Sequence, residues 1–370
     1  MRKRYAGLAI AVAGTLALTA CGSDSSSSAA PGASGGSAAA KGKVGVILPD
    51  SATSPRWENN DRPLLKAAFD AAGVSSDIQN ANKDVARFGT LCDNMINQKV
   101  NVLLIVNIDS DSGSACLKKA QTAGIKTIDY DRLTLGGGAS YYVSFDNVKV
   151  GALMAEGLKK CLTDAGKTSG NLVFINGDPT DNNAALFKQG YAEGLKADID
   201  GGAFKLVGDQ TGKWDEGVAG TAFEQLYTQS GGKVDGVVSA NDTMAKGIIA
   251  RLKPLKLNGK VPVTGQDASV DGLQAILRGD QCMTVYKPIK TEADAAAQLA
   301  ISLIQGKDAS SLATGTVKDT KLNKDVPSVL GTPIAIYKDT VKQVISEGFQ
   351  KKEDVCKDDV AQLCTAAGVS

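Results

Sequence analysis

Histidine is absent from all 370 residues of the chain. The commonest general base and the commonest metal ligand are therefore missing, which argues against a histidine-dependent hydrolase or a metalloenzyme. Net charge is nearly absent as well, with 41 Lys and Arg against 40 Asp and Glu. A nucleic-acid partner needs a basic excess, and there is none. Long apolar runs are missing after Leu18, so nothing beyond that point is a candidate to span a bilayer. Aromatic residues make up 5% of the chain, and only two are tryptophan, Trp57 and Trp214. What the chain does hold is 43% hydrophobic residues, ample for one large or two medium domains with real cores.

Residues 1–20 read as a targeting segment. Arg2, Lys3 and Arg4 open it, an apolar run follows over 7–18, and it ends Leu18-Thr19-Ala20-Cys21, which resembles a bacterial lipobox. That resemblance implies cleavage before Cys21 and diacylation of its sulfur; a plain secretory signal with a chance cysteine is the alternative. Residues 21–42 run through Ser, Gly and Ala with little apolar bulk. They read as a flexible tether with a mean reach of roughly 25 Å. The expected address is extracytoplasmic, lipid-anchored to the cell membrane. Seven cysteines suit it, because with Cys21 lipidated an even six remain in an oxidising compartment. Cys92 and Cys116 lie on successive predicted helices, and Cys356 and Cys364 are close in the C-terminal tail. Elimination leaves Cys161 with Cys282. Spacing alone does not fix the connectivity, and none of it matches a zinc site.

The remainder alternates short β-rich runs with amphipathic helical runs. Strands are expected over 44–48, 102–106, 127–130, 141–144, 172–176, 205–207, 236–240, 261–264 and 283–286. Helices are expected over 64–72, 86–98, 115–123, 148–162, 184–195, 216–229, 243–252, 270–277 and 292–305. Gly73, Gly124 and Gly306 sit just past helical runs, where a left-handed cap is wanted. Such alternation predicts parallel sheets with helices on both faces. The number of units exceeds one sheet and predicts two lobes.

Residues 261–288 set the pattern that the other loops repeat: Asp267 follows one expected strand and Lys287 the next. In open α/β sheets ligands bind at the carboxyl ends of the strands. The other strand-end loops carry Asp50 and Arg56-Trp57; Asp131-Arg132; Asp178 and Asp181-Asn182-Asn183; Asp209, Gln210 and Trp214; and Asn241-Asp242. A sugar suits this inventory. Carboxylates and carboxamides accept from its hydroxyls, Arg and Lys donate to them, and its C–H faces stack on indole. Taken singly, each Asp or Asn is equally well a helix cap or turn residue, and Asp84, Asp146 and Asp242 are read as caps only. Asp109-Ser110-Asp111-Ser112-Gly113 lacks the terminal glutamate of a calcium loop and also reads as a cap. Gly136-Gly137-Gly138 is a turn, not a phosphate loop.

Six motifs carry a family resemblance: Tyr130-Asp131-Arg132, Ser144-Phe145-Asp146-Asn147 leading into Val150-Gly151, Asp181-Asn182-Asn183-Ala184, Ser239-Ala240-Asn241-Asp242, Gly265-Gln266-Asp267-Ala268 and Met283-Thr284-Val285-Tyr286-Lys287-Pro288. In this order, over about 43–348, the chain resembles the ribose/galactose-type periplasmic binding proteins of bacterial ABC sugar importers, and within them the xylose-binding branch. The resemblance implies a type I periplasmic binding protein fold: α/β, two doubly wound parallel-sheet lobes joined by a three-strand hinge. Crossings are expected near residues 146–150, 287–291 and 327–333, dividing the chain into 43–147 plus 288–328 and 148–287 plus 329–370. Carried over position by position, the sugar contacts would be Arg56, Trp57, Asp131, Arg132, Asp181, Asn183, Trp214, Asn241, Asp267 and Lys287. Asp131, Arg132, Asn241, Asp267 and Lys287 would hold hydroxyls, with the two indoles on the ring faces.

The implied function is capture of a monosaccharide, D-xylose or a related aldose, for an ABC permease with a cytoplasmic ATPase, by a monomer with no cofactor. The extra cysteines and residues 351–370 fall outside the family pattern and are expected to staple helices near the hinge. One alternative use is a sensor that presents its bound form to a chemoreceptor or sensor kinase. An alternative of another class is a glycoside-processing enzyme using Asp131, Asp181 or Asp267 as paired carboxylates.

Overall fold

The computed structural model describes residues 42–369. The expected signal segment, the lipidation site Cys21 and nearly all of the expected tether lie outside the described residues. The first lobe begins with β1 (Lys43–Leu48), α1 (Arg62–Ala71), β2 (Ser75–Asn80), α2 (Val85–Asn97), β3 (Val102–Ile105), α3 (Ser110–Thr122), β4 (Lys126–Tyr130) and β5 (Tyr141–Phe145). The second lobe follows as α4 (Asn147–Asp164), β6 (Gly170–Asn176), α5 (Asn182–Asp200), β7 (Phe204–Thr211), α6 (Glu216–Gln229), β8 (Gly236–Ser239), α7 (Asp242–Leu252), α8 (Val270–Arg278) and β9 (Thr284–Tyr286). The chain returns to the first lobe with α9 (Ile289–Ile304), β10 (Gly315–Asp319) and β11 (Lys324–Gly331). It ends in the second with β12 (Ile334–Ile336), α10 (Val341–Ser346), α11 (Lys352–Val355) and α12 (Ala361–Ala366).

The first sheet has the order β10-β11-β5-β4-β3-β1-β2. Its pairs are parallel except β10 with β11. Alternation along β1 splits its side chains between two cores. Val44, Val46 and Leu48 pack with Leu65, Phe69 and the α9 alanines, while Ile47 packs with Phe88, Cys92 and Leu117 on the other face. Two buried faces explain why the central strands are almost purely aliphatic. β2, reading Ser-Ser-Asp-Ile-Gln-Asn, pairs on one side only, and an edge tolerates that polarity.

The second sheet runs β7-β6-β8, and the isolated bridges Val237–Val263 and Gln266–Val285 connect it to the antiparallel pair β9–β12. The strand expected over 261–264 is thus reduced to single bridges. Pro262 has no N–H to give a continuous ladder. Helices α4 and α5 cross closely through Gly151 and Gly190, where a Cβ would lie 2.0 Å from the Phe187 and Val148 carbonyl oxygens respectively. That contact seats the N-terminus of α5 against the hinge.

Crossings between lobes follow β5, β9 and β11. β11 pairs with β5 as far as Gly331, so the boundary expected at 328 falls inside a first-lobe strand. Gly73, Gly124 and Gly306 all take the left-handed conformation expected of caps. The disulfides are Cys92–Cys116, Cys161–Cys282 and Cys356–Cys364. Each lies within one lobe. The expectation that they staple hinge-proximal helices holds in part: Cys161–Cys282 ties α4, which follows the first crossing, to the segment entering β9, whereas Cys92–Cys116 joins α2 to α3, neither of which enters a crossing. No helix among the described residues is long and apolar enough to cross a membrane.

Candidate functional site

The strand-end loops of the two lobes meet around one cavity. The loop after β1 contributes Thr53, Ser54, Arg56 and Trp57, and the loop after β4 contributes Asp131 and Arg132. From the second lobe come Asp181, Asn183 and Phe187 at the start of α5, Trp214 after β7, Asn241 after β8, Gln266 and Asp267 before α8, and Lys287 after β9. The space not filled by protein atoms is about 340 Å³, part of it open to solvent. All ten residues singled out in the sequence stand in this wall; Thr53, Ser54, Phe187 and Gln266 were not among them.

Charge in the wall is arranged around Asp131. Its Oδ2 accepts from Arg56 Nη1 at 2.7 Å and from Lys287 Nζ at 3.4 Å. Its Oδ1 accepts from Asn183 Nδ2 at 3.1 Å. Lys287 Nζ also stands 3.8 Å from Asp267 Oδ1. Asp267 Oδ2 in turn accepts from Ser54 Oγ of the opposite lobe at 3.0 Å. Arg132 pairs with Asp181 at 2.9 Å and donates to the Asn107 carbonyl at 3.1 Å. Burial pushes the Asp131 carboxyl upward, but Lys287, Arg56 and Arg132 together outweigh burial and hold it well below the usual carboxylate range. Asp267 and Asp181 go the other way. Burial raises each, offset only in part by Lys287 and by Arg132 respectively.

Arg56 is itself locked from behind. Nε and Nη2 make a two-pronged pair with Asp61 at 2.9 and 2.7 Å, and Nη2 also meets Glu292 Oε2 at 2.7 Å. Tyr130 donates its hydroxyl to Asp61 at 2.7 Å. Asp61 ends a five-residue π-helical turn, Trp57–Asp61, that aims both Arg56 and Trp57. Asp61 carries no sequence signal beyond its nearness to Arg56, and Glu292 lies 236 residues away, beyond the reach of any local pattern.

Both indoles are buried in the wall. Trp57 carries the Arg56 guanidinium 4.3 Å over its ring centroid and that of Arg132 at 5.7 Å. Trp214 meets Phe187 edge-on at 6.1 Å between centroids. Lys213 and Trp214 reach this place through left-handed backbone, φ 52° and 59°. Asp131 at φ 61° and Asp267 at φ 103° share that region. Non-glycine residues there cost about 1–3 kcal/mol each and cluster at ligand sites.

One reading needs revision. Asp242 is no cap, because Asn241 caps α7 through Met244 N at 2.9 Å. Asp242 is instead a buried acceptor for Ser269 N and Oγ, Gln281 and Thr284, which ties the Asp267 loop to the sheet. Asn183 spends its amide on Asp131 and its carbonyl oxygen on Asn147 at 2.9 Å, so it orients Asp131 and leaves little for a hydroxyl. Asn241 and Thr243 both donate to the Thr53 carbonyl across the cleft, at 3.3 and 3.2 Å. Asp84, Asp109 and Asp146 are N-caps, as read.

Comparison with known proteins places this arrangement. Residues 44–308 match the periplasmic binding protein domain family. The chain is 37% identical over 318 residues to the D-xylose-binding periplasmic protein of Escherichia coli, covering 85% of this chain and 92% of that one. It is 35% identical to a multiple sugar-binding periplasmic receptor of Rhizobium radiobacter, covering 86% and 94%. Among solved structures it resembles a carbohydrate transporter solute-binding protein of Chloroflexus aurantiacus in complex with D-glucose. There the TM-score is 0.77 at 28% identity, with 85% and 98% of the two chains covered. These relatives are binding proteins by name, not enzymes. With two α/β lobes, three crossings and an interlobe cavity, the chain belongs to the periplasmic binding protein family.

Proposed function

We propose that the chain captures a monosaccharide, D-xylose or a related aldose, between its lobes and delivers it to an ABC permease. The observation that carries this reading is Lys287 set between Asp131 and Asp267, carboxylates of opposite lobes on a shared cavity. A hydroxyl there can accept from the ammonium and donate to a carboxylate at once. Arg56 and Arg132 repeat the pairing of cation with carboxylate. The indoles supply apolar faces for C–H groups. The similarity to D-xylose-binding proteins supports the choice of aldose. A ligand that touches both lobes favours the closed state by its differential affinity for that state. The closed form is then what the permease recognises. We place the protein outside the cytoplasm as a monomer held to the membrane through lipid on Cys21 and the tether that follows.

Calorimetry on the mature protein tests the reading. One-site binding of D-xylose or another aldose is expected, with the sugar recovered unchanged after prolonged incubation. Asp267→Ala and Arg132→Ala each strand buried partners and should weaken binding at least about tenfold. Full-strength binding by both variants would remove the site. Cys21→Ser should release the protein from the membrane without changing its affinity.

A further inference from the structure

The C-terminal segment lies beyond the region matched by the family, yet it touches the residue that follows Asp267 of the cavity wall. Gln350 Nε2 donates to the carbonyl of Ala268 at 3.1 Å. Ala268 follows Asp267, and both take left-handed backbone, φ 48° and 103°. The amide sides of this turn are held by the lobe itself. Asp267 N donates to the Val285 carbonyl at 2.9 Å, and Ala268 N to Thr284 Oγ1 at 3.2 Å. Gln350 takes the carbonyl side.

Gln350 is itself placed with care. Phe349 packs its ring 5.1 Å from Tyr286, and its carbonyl accepts from Asn60 Nδ2 of the first lobe at 3.1 Å. The tail that follows is stapled by Cys356–Cys364 and docked on α8 by Gln274, which donates to the carbonyls of Asp354 and Val355. A stapled, docked tail is a rigid support. The tail also buries Val355, Val360 and Cys364 in one cluster with Leu273, Ile276 and Leu277 of α8.

We propose that Gln350 is a positioning residue for the ligand site. It fixes the Ala268 peptide and through it the angle at which the Asp267 carboxylate meets a ligand hydroxyl. The Asn60–Phe349 bond couples this support to lobe closure. The proposal rests on the sugar-binding reading above.

The test compares wild type with Gln350→Met, which keeps the volume and removes the donor. Affinities for D-xylose and its monodeoxy analogues are measured by calorimetry, and ligand-free stability by urea unfolding. Gln350→Met should weaken D-xylose about 2- to 10-fold, the range of one neutral hydrogen bond. The analogue lacking the hydroxyl that Asp267 meets should bind both proteins equally. A general loosening of the fold would instead weaken every analogue alike, and that result overturns the proposal. So does wild-type affinity for D-xylose in Gln350→Met. Should that variant fail to fold, Gln350→Leu, of similar size, uncharged and without a donor, gives the same comparison. Failure of the wild type to bind any aldose would count against the sugar reading and not against Gln350.

Discussion

Gly177 stands directly behind Trp214, and filling that space should damage the ligand site while sparing the fold. A Cβ at Gly177 would lie 2.0 Å from Cζ2, 2.2 Å from Cη2 and 2.4 Å from Cε2 of the indole. Carbon atoms rest at roughly 3.5–4.0 Å, so the ring must move by about 1.5 Å or more. Phe187 supports the ring edge-on, and the left-handed backbone at Lys213 and Trp214 leaves little slack, so the free direction is into the cavity. Gly177 has no positive φ, so alanine adds bulk without backbone strain. Overpacking of this kind costs about 1–3 kcal/mol. If the indole takes up the ligand's volume, affinity falls about 5- to 150-fold. The assay is calorimetry with the preferred aldose, paired with urea unfolding of ligand-free protein. Gly89→Ala is the control: a Cβ there meets nothing within 4 Å, and replacing a glycine inside α2 should raise stability by about 0.5–1 kcal/mol with no change in affinity. Unchanged affinity in Gly177→Ala would refute the placement of Trp214 as a ligand wall.

Two further outcomes are expected. Loop-closure entropy ranks the disulfides by span, so replacing Cys161 and Cys282 with serine, 121 residues apart, should cost about 5 kcal/mol. The same change at Cys356 and Cys364, 8 apart, should cost about 2–3 kcal/mol, and urea melts giving the reverse order would contradict the assignment. Burial raises both Asp129 and Asp242 to about 7. A carboxyl raised on folding contributes stability fully present below its unfolded value near 3.9 and lost as pH climbs through 7. Ligand-free stability should therefore fall between about pH 4.5 and 7.5 and level off above, with a shallower slope in Asp129→Asn. A rise in the urea midpoint across that window would exclude two such buried acids.

Much of the fold was legible because its signals are local. Helical periodicity, the caps at Asp84, Asp109 and Asp146, and the glycines at 73, 124 and 306 each depend on a few neighbouring residues. The rim itself was legible for a related reason, since parallel strands end on one side and their loops are polar; the family resemblance then picked the ten cavity residues from the larger set those loops carry. Less legible were elements whose stability comes from elsewhere. β2 is polar and needs β1 to be a strand at all. β10 and β11 take their places from β5, and β12 from β9, far away in sequence.

The amino-acid order by itself determined which side chains reach the strand-end rim and what chemistry they bring, because alternation and loop position are properties of short stretches. Only the tertiary structure decided how those side chains divide the work. Arg56 is gripped by Asp61 and Glu292 as well as Asp131, Asn183 is spent on orienting Asp131, and Asp242 braces the loop of Asp267 from below. Buried charges and amides must find partners wherever packing places them, and packing joins residues that no local pattern links.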